Sequence, residues 1–230
     1  MTFPKTVIRR AAVEDIDPLS RVVADTLMAQ PTAAWLVPNA AERAGVLLGY
    51  ARLLLRRGLN EGQVVTTDDQ AAVSVWYSRL EPPAPAASWV YDLQRNLGSH
   101  APRFALLHAY VDAVVPHSPH HYLAHFAART GQCGAAHALL SSYHRELDAE
   151  GLPAYAEVSG ACPREGLLAR LGYEPRSPVL LEPGGPALWR MWRPSSGDRG
   201  PDGLPCRVRA HRFAMPMRRR VVPAASPRSP

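Results

Sequence analysis

A strand, a turn of small residues and a helix follow one another in the middle of the chain. The sequence predicts the strand over residues 122–128, the turn over 131–136 and the helix from there to 150. A turn without bulky side chains lets an anion approach the backbone, where the free N–H groups of the first helical turn can bind it. The pattern therefore indicates a cradle for a diphosphate. Glycine and alanine also occur where a helix packs closely on a strand, so the pattern alone leaves both interpretations open.

Four histidines, His117, His120, His121 and His125, lie just before and within the same strand. Histidines at short spacing can hold a metal ion. Two prolines make the approach to this strand irregular, however, and no nearby carboxylate or thiolate completes a set of ligands. The sequence therefore favours a polar loop that enters a strand, and we expect no bound metal.

The elements that must position these residues follow from hydrophobic spacing. Helical spacing predicts helices over residues 15–28 and 40–57, the second ending before Gly58 in a left-handed cap. Two β-prone runs, 63–67 and 71–77, predict a hairpin around Asp68, Asp69 and Gln70. Further patterns predict strands at 6–10, 154–158 and 187–193, two helical segments within 89–115 and a short helix at 165–171. Antiparallel pairs early and helix-linked strands late indicate a mixed α/β layer.

The charge is distributed unevenly along the 230 residues. The whole chain carries a net charge of +6, and residues 195–230 account for all of it with eight Arg against two Asp. We therefore predict one globular domain over residues 1–194 and a disordered Pro/Arg-rich tail over 195–230. Such a tail can bind anionic surfaces weakly and without specificity, but the neutral body argues against nucleic acid as the protein's partner.

The sequence also argues against a membrane or secreted protein. No apolar run approaches the roughly 18–20 residues that a membrane span needs, and no apolar leader segment follows the first residues. The three cysteines are too few and too scattered for a disulfide framework or a zinc site of paired cysteines. We expect a cytoplasmic protein, monomeric or homodimeric, with reduced thiols.

Six segments stand in a characteristic order along residues 7–193. They are GLNEGQVVTTDDQAAVSVW (58–76), HYLAHFAA (121–128), GAAHALL (134–140), EGLPAYAEVS (150–159), RLGY (170–173) and PALWRMWR (186–193). In order and separation they resemble the GCN5-related N-acetyltransferase (GNAT) superfamily, and within it the branch of puromycin N-acetyltransferase-like enzymes. The resemblance implies an α/β fold in which helices flank a mixed, mostly antiparallel central sheet with splayed central strands.

The same resemblance implies a reaction and a cosubstrate. An acetyl group would pass directly from acetyl-CoA to a primary amine of a small molecule, such as an antibiotic or a metabolite. The pantetheine would pair with the backbone of Phe126, Ala127 and Ala128. The diphosphate would lie on the turn formed by Gly131, Gln132, Cys133, Gly134, Ala135 and Ala136.

Acetyl transfer to an amine needs a proton acceptor, because an amine of high pKa is mostly protonated near neutral pH. Glu157 is the best candidate, since it is the only carboxylate of the second cleft strand. A solvated charge at the end of the strand, or a structural ion pair, would explain a carboxylate there equally well. His125 on the other cleft strand is the second candidate, and Tyr155 is the third.

The sequence departs from the family pattern in two places. Gly131 stands where the family turn usually has Gln or Arg, and the loop before it is about two residues short. Arg164 replaces the usual Asn of a later motif, and Leu168 replaces the Tyr that often protonates the departing thiolate. Another acid, or water, would then supply that proton.

Two other functions remain open, the first because of these departures and the second because of the basic tail. One is a catalytically degenerate GNAT fold that binds acyl-CoA or a partner protein without transfer. The other is a protein or peptide acetyltransferase that uses the basic tail to dock an acidic partner.

Overall fold

The computed structural model describes residues 6–81, 87–160, 162–182 and 185–195. The tail predicted from residue 195 lies almost wholly outside these ranges and stays a prediction. The described elements follow in chain order: β1 (Ile8–Arg10), α1 (Ile16–Met28), α2 (Thr32–Leu36), α3 (Ala40–Glu61), β2 (Gln63–Thr67), β3 (Ala72–Arg79), α4 (Ala87–Leu97), α5 (Ala101–Asp112), β4 (His120–Ala128), α6 (Cys133–Glu150), β5 (Ala154–Ser159), α7 (Leu167–Arg170), β6 (Glu174–Leu180) and β7 (Ala187–Arg193).

Seven strands form one sheet in the order β1-β2-β3-β4-β5-β7-β6. Every neighbouring pair is antiparallel except β4 and β5, which run parallel and are joined by helix α6. One face of the sheet packs on α1, α3, α4 and α5, and the other packs on α6 and α7. The mixed, mostly antiparallel sheet between helices is the α/β class that the sequence predicted.

The two central strands separate part-way along their length. Backbone pairing of β4 with β5 runs from His121 opposite Ala154 to Leu123 opposite Ala156 and stops there. Beyond that point β4 stays paired with β3, and β5 stays paired with β7. A V-shaped gap therefore opens in the middle of the sheet, as expected for splayed central strands.

A β-bulge lies where the gap begins. Val75 of β3 pairs with His125 and the next residue, Trp76, pairs with Leu123, so Ala124 is an extra residue in β4. A bulge interrupts the alternation of side chains between the two faces of a sheet. Ala124 and His125 consequently both lie on the face covered by α1 and α3.

The structure corrects the predicted end of helix α3. Gly58 was expected just beyond the helix, but the helix continues to Glu61 and Gly58 lies buried inside it. A Cβ added at Gly58 would stand 2.7 Å from methyl groups of both Val64 and Val75. Gly58 is therefore a point of close approach between helix and sheet, which its residue type alone does not distinguish from a cap.

Other boundaries also differ from the expectation. The β2–β3 hairpin and the division of residues 89–115 into two helices are confirmed, whereas α2 and β6 were not predicted. Helix α6 begins at Cys133, so the last three residues of the predicted turn form its first turn. Within the described part of the chain, no helix combines the length and apolar character needed to cross a bilayer.

Candidate functional site

The gap between β4 and β5 opens beside a cavity of about 290 Å³. Its walls come from both separating strands, from the helices that cover this face of the sheet and from the segment that leads into α7. Among its lining residues are Tyr50, His108, Tyr122, His125 and Glu157. Most of the remaining lining side chains are apolar, as is typical of a pocket for a small organic molecule.

Glu157 lies on β5 just beyond the last residue that pairs with β4. Burial raises the pKa of its carboxyl group from 4.5 to about 7, and the hydroxyls of Tyr122 and Tyr155 oppose this rise. Asp112 adds to the rise through charge repulsion. The carboxyl group is thus poised to gain and lose a proton near neutral pH.

Hydrogen-bonding capacity remains unused around this carboxyl group. Glu157 Oε1 and Tyr155 Oη are both buried, and neither makes a hydrogen bond of normal length and angle with a described residue, although the Tyr155 hydroxyl lies near enough to Glu157 to affect the pKa of its carboxyl group. A buried polar atom without a partner costs about 1–3 kcal/mol. A donor that enters the cavity and reaches Glu157 Oε1 would remove part of that cost.

Two histidines of the cavity are held in their neutral form. Burial lowers the pKa of His125 to about 4 and that of His108 to about 3. Tyr50 connects them, because its hydroxyl is 3.0 Å from His108 Nε2 and its ring meets the His125 ring edge to face. Near neutral pH the histidines that line the cavity therefore add no positive charge.

The register of β4 shows which of its backbone groups face the gap. The N–H of Arg129 donates to the carbonyl of Ala71 at the end of β3. Along a strand of an antiparallel pair, the backbone N–H and C=O groups of one residue point at the partner strand and those of the next residue point away from it. The N–H groups of Phe126 and Ala128 therefore point toward β5, which has already diverged, whereas the N–H of Ala127 points toward β3.

The N-terminus of α6 lies at the end of β4 with its first turn exposed. No side chain caps this helix, and Gly131, with φ of +81°, makes the turn in the left-handed region. A Cβ added at Gly134 would have no heavy atom within 4 Å, so open space lies beside the first turn. Uncapped N–H groups with open space beside them could hold an anionic group such as a diphosphate.

The structure brings the three sequence-predicted candidates for proton transfer to one face of the sheet. Glu157 and His125 line the same cavity, and Tyr155 lies beside Glu157. The histidine cluster does not converge: His120 packs against Tyr155, whereas His121 contacts Tyr143 of α6 on the opposite face. Among the described residues, no group of three potential metal ligands comes together.

Leu168 is buried and forms part of the cavity wall, so this position offers no proton donor. The nearby Tyr173 is buried too, and its hydroxyl is 3.0 Å from His144 Nε2 in the layer between the sheet and α6. It therefore does not replace a tyrosine at position 168.

Sequence reasoning missed three polar residues of the cavity, namely Tyr50, His108 and Tyr122. Simple alternation along β4 assigns Tyr122 and His125 to opposite faces, and only the bulge brings them together. Tyr50 and His108 lie on helices, where apolar spacing does not indicate which groove they face. The only indication in the sequence was that a tyrosine and a histidine occur in helices predicted to cover the sheet.

The fold can be compared with that of known proteins. No family model and no curated protein sequence matches the chain. A Corynebacterium glutamicum structure, described as histone acetyltransferase HPA2 and related acetyltransferase, superposes with a TM-score of 0.61 at 20% identity. The match covers 84% of this chain and 98% of that one. The chain has the GNAT fold.

A second acetyltransferase agrees with this assignment of the fold. Arylalkylamine N-acetyltransferase 2 from Aedes aegypti gives a TM-score of 0.53 at 11% identity, over 83% of this chain and 99% of that one. In both comparisons the likeness extends over more than four fifths of this chain and nearly the whole of the other one. At these identities the likeness concerns the fold, so the function must be argued from the site itself.

Proposed function

We propose that the protein is an acetyl-CoA-dependent N-acetyltransferase that acts on a primary amine of a small molecule. The observation that supports this most directly is the position of Glu157. Its carboxyl group lies in the cavity at the point where β4 and β5 separate, and its pKa is raised to about 7. A base works best when its pKa is close to the working pH.

Glu157 is the group that takes the proton. A protonated amine that enters the cavity meets one carboxylate and two neutral histidines, so Glu157 both attracts the cation and accepts its proton. The free amine then attacks the thioester carbonyl. His125 and Tyr155 shape the surroundings of this carboxyl group, and burial keeps both uncharged near neutral pH.

The backbone of β4 stabilises the negative charge that develops on the thioester oxygen. The N–H groups that point into the gap, those of Phe126 and Ala128, are fixed by the pairing of β4 with β3. Fixed donors need no reorganisation during the reaction, which is why they stabilise a developing charge effectively. The carbonyls on the same edge are free to pair with the amides of pantetheine.

The departing thiolate needs no side-chain acid. A thiol has an ordinary pKa of about 8.5, so its thiolate is a mild base that water can protonate near neutral pH. Leu168 in the cavity wall is consistent with this route. The acetyl group moves from sulfur to nitrogen in one transfer; the attacking nitrogen loses its second proton through water to the departing sulfur, so CoA leaves as the thiol.

Release of CoA thiol from acetyl-CoA, measured with a panel of primary amines, tests the proposal. We expect at least one amine to give release above the background of hydrolysis. Glu157→Gln should lower kcat by about 10²–10⁴-fold, and wild-type activity should fall as the pH drops below about 7, because Glu157 becomes protonated.

Glu146→Gln is the matched control, because Glu146 is exposed on α6 and does not line the cavity. It should leave kcat and the pH profile unchanged. If the protein binds CoA in a calorimeter but releases no thiol with any amine, it is a binding protein and the proposal is wrong.

A further inference from the structure

A second cavity, of about 370 Å³, lies on the same face of the sheet as Glu157. It is lined by Pro116, Ser118, Tyr155, Arg176, Ser177, Arg190 and Trp192. Two arginines and no carboxylate line it, and one wall is formed by aromatic rings. The charge of this cavity is thus opposite to that of the cavity that holds Glu157.

The two cavities are neighbours through the strand register. Arg190 of β7 pairs directly with Glu157 of β5, so both side chains lie on the same face of the sheet. No ion pair forms between them among the described residues. The Arg190 guanidinium instead bonds to the carbonyl and hydroxyl of Ser177 on β6, which holds it away from Glu157.

Both arginines keep donors for a ligand. The bonds of Arg190 to Ser177 use Nε and one of its terminal nitrogens, and the other terminal nitrogen has no partner in the part of the chain that the structure describes. Arg176 is exposed and makes no ion pair with any described residue. Tyr155, which is 1% exposed, lines the same cavity and its hydroxyl makes no hydrogen bond of normal length and angle with a described residue.

We infer that the second cavity binds an anionic group, a carboxylate or a phosphate, at the far end of the acceptor amine. This inference rests on the proposed function and narrows the substrate class to amines that carry such a group. Arginine binds both anions through paired N–H donors. Trp192 and Tyr155 provide an apolar wall for the segment that connects the two ends.

The sheet sets the length of that connecting segment. Neighbouring strands lie about 4.8 Å apart, so β6 is about 10 Å from β5. Arg190 on β7 is one strand away from Glu157 and Arg176 on β6 is two strands away, so an amine at Glu157 and an anion between the two arginines are separated by about 5–10 Å. Amino acids whose amine and carboxylate share one carbon are too short to reach both.

Two series of acceptors of increasing chain length test the inference: ω-amino carboxylates and ω-aminoalkyl phosphates, each compared with the n-alkylamine of equal length. We expect kcat/KM to favour the anionic acceptor by about 10-fold or more at the best length, since a charge-assisted bond is worth about one factor of ten. Whichever series shows the larger preference identifies the anion.

Arg176→Ala and Arg190→Gln should each reduce this preference, and the double variant should bring the ratio close to one. Arg95→Ala, which removes an equal charge from the exposed face of α4, should leave the ratio as in the wild type. Thermal melting identifies any variant that fails to fold. Arg176→Ala still tests the inference if Arg190→Gln destabilises β6, because the Arg176 side chain makes no hydrogen bond or ion pair with a described residue.

Calorimetric titration of the same acceptors in the presence of CoA separates this inference from the proposed function. Arginine-dependent binding of the anionic acceptors without thiol release would support the cavity and refute the transferase. Thiol release with equal kcat/KM for anionic and neutral acceptors at every length would support the transferase and overturn the cavity's assignment.

Discussion

Replacing Glu157 by Gln should make the protein more stable at pH 8. The carboxyl group has a pKa of about 7 in the folded chain against an ordinary value of 4.5, so folding above pH 7 forces a charge into an unfavourable environment. This pKa difference corresponds to about 3 kcal/mol of free energy of unfolding. Gln has nearly the same shape and carries no charge, so the variant avoids that cost.

The sign of the effect depends on pH. Below about pH 4.5 the carboxyl group is protonated in both states, and the variant gains nothing. As the pH rises to about 7, the unfolded chain loses its proton first and the wild type is progressively destabilised relative to the variant. We expect the variant's gain to be about 1 kcal/mol at pH 5 and about 3 kcal/mol at pH 8.

Urea unfolding followed by tryptophan fluorescence at the two pH values measures this gain. His108 and His125, whose pKa values are lowered to about 3 and about 4, also make stability pH-dependent, but they are present in both proteins and cancel in the difference. Glu146→Gln should change stability by less than about 0.5 kcal/mol at both pH values. Equal stability of Glu157→Gln and wild type at pH 8 would refute a raised pKa at Glu157, and with it the argument for a base at this position.

Three further substitutions test other parts of the structure. Gly134→Asp should weaken CoA binding by about 10-fold or more in calorimetry, because the carboxylate repels the diphosphate. The same substitution should stabilise helix α6 by about 0.3–1 kcal/mol, since a negative charge is favourable at a helix N-terminus. Gly45→Asp, on the exposed side of α3, is the control. Gly58→Ala should destabilise the protein by about 1–3 kcal/mol in urea because its Cβ would collide with β2 and β3, whereas Gly45→Ala in the same helix should stabilise it by about 0.5–1 kcal/mol. Asp15→Asn should lower the free energy of unfolding by about 2–3 kcal/mol at pH 7, because the Arg9 guanidinium beside it holds the pKa of the buried Asp15 carboxyl well below its usual range. This loss of stability must shrink on acidification, and a loss that stayed constant down to pH 2 would contradict the ion pair.

Elements with strong periodic patterns were predictable from the sequence, and so was the α/β class. The β2–β3 hairpin has alternating apolar residues around a polar turn, and α6 ends at Gly151 in the left-handed conformation that glycine favours. Strand β6 was missed because two prolines and mostly exposed side chains give it little strand character. Proline is tolerated there because β6 is the edge of the sheet.

The candidate site was predictable only in part. Glu157 could be singled out because it is the only acidic residue of β5. Its raised pKa could not be predicted, since burial depends on helices that are distant in the chain. Arg190 was equally out of reach, because its place opposite Glu157 depends on the pairing of β5 with β7 rather than on spacing within either strand.

The extra residue Ala124 also determines how substitutions along β4 divide between stability and chemistry. Before it, the even-numbered Tyr122 lies on the cavity side; after it, the odd-numbered His125 does, and Phe126 packs toward α6. A mutant library that randomises the even-numbered positions of β4 would therefore begin on the face covered by α1 and α3 and end on the face covered by α6. To stay on one face, such a library has to switch from even-numbered to odd-numbered positions at residue 124. Deleting that residue would move the side chains of one half of the strand to the opposite face while leaving the composition of the strand almost unchanged.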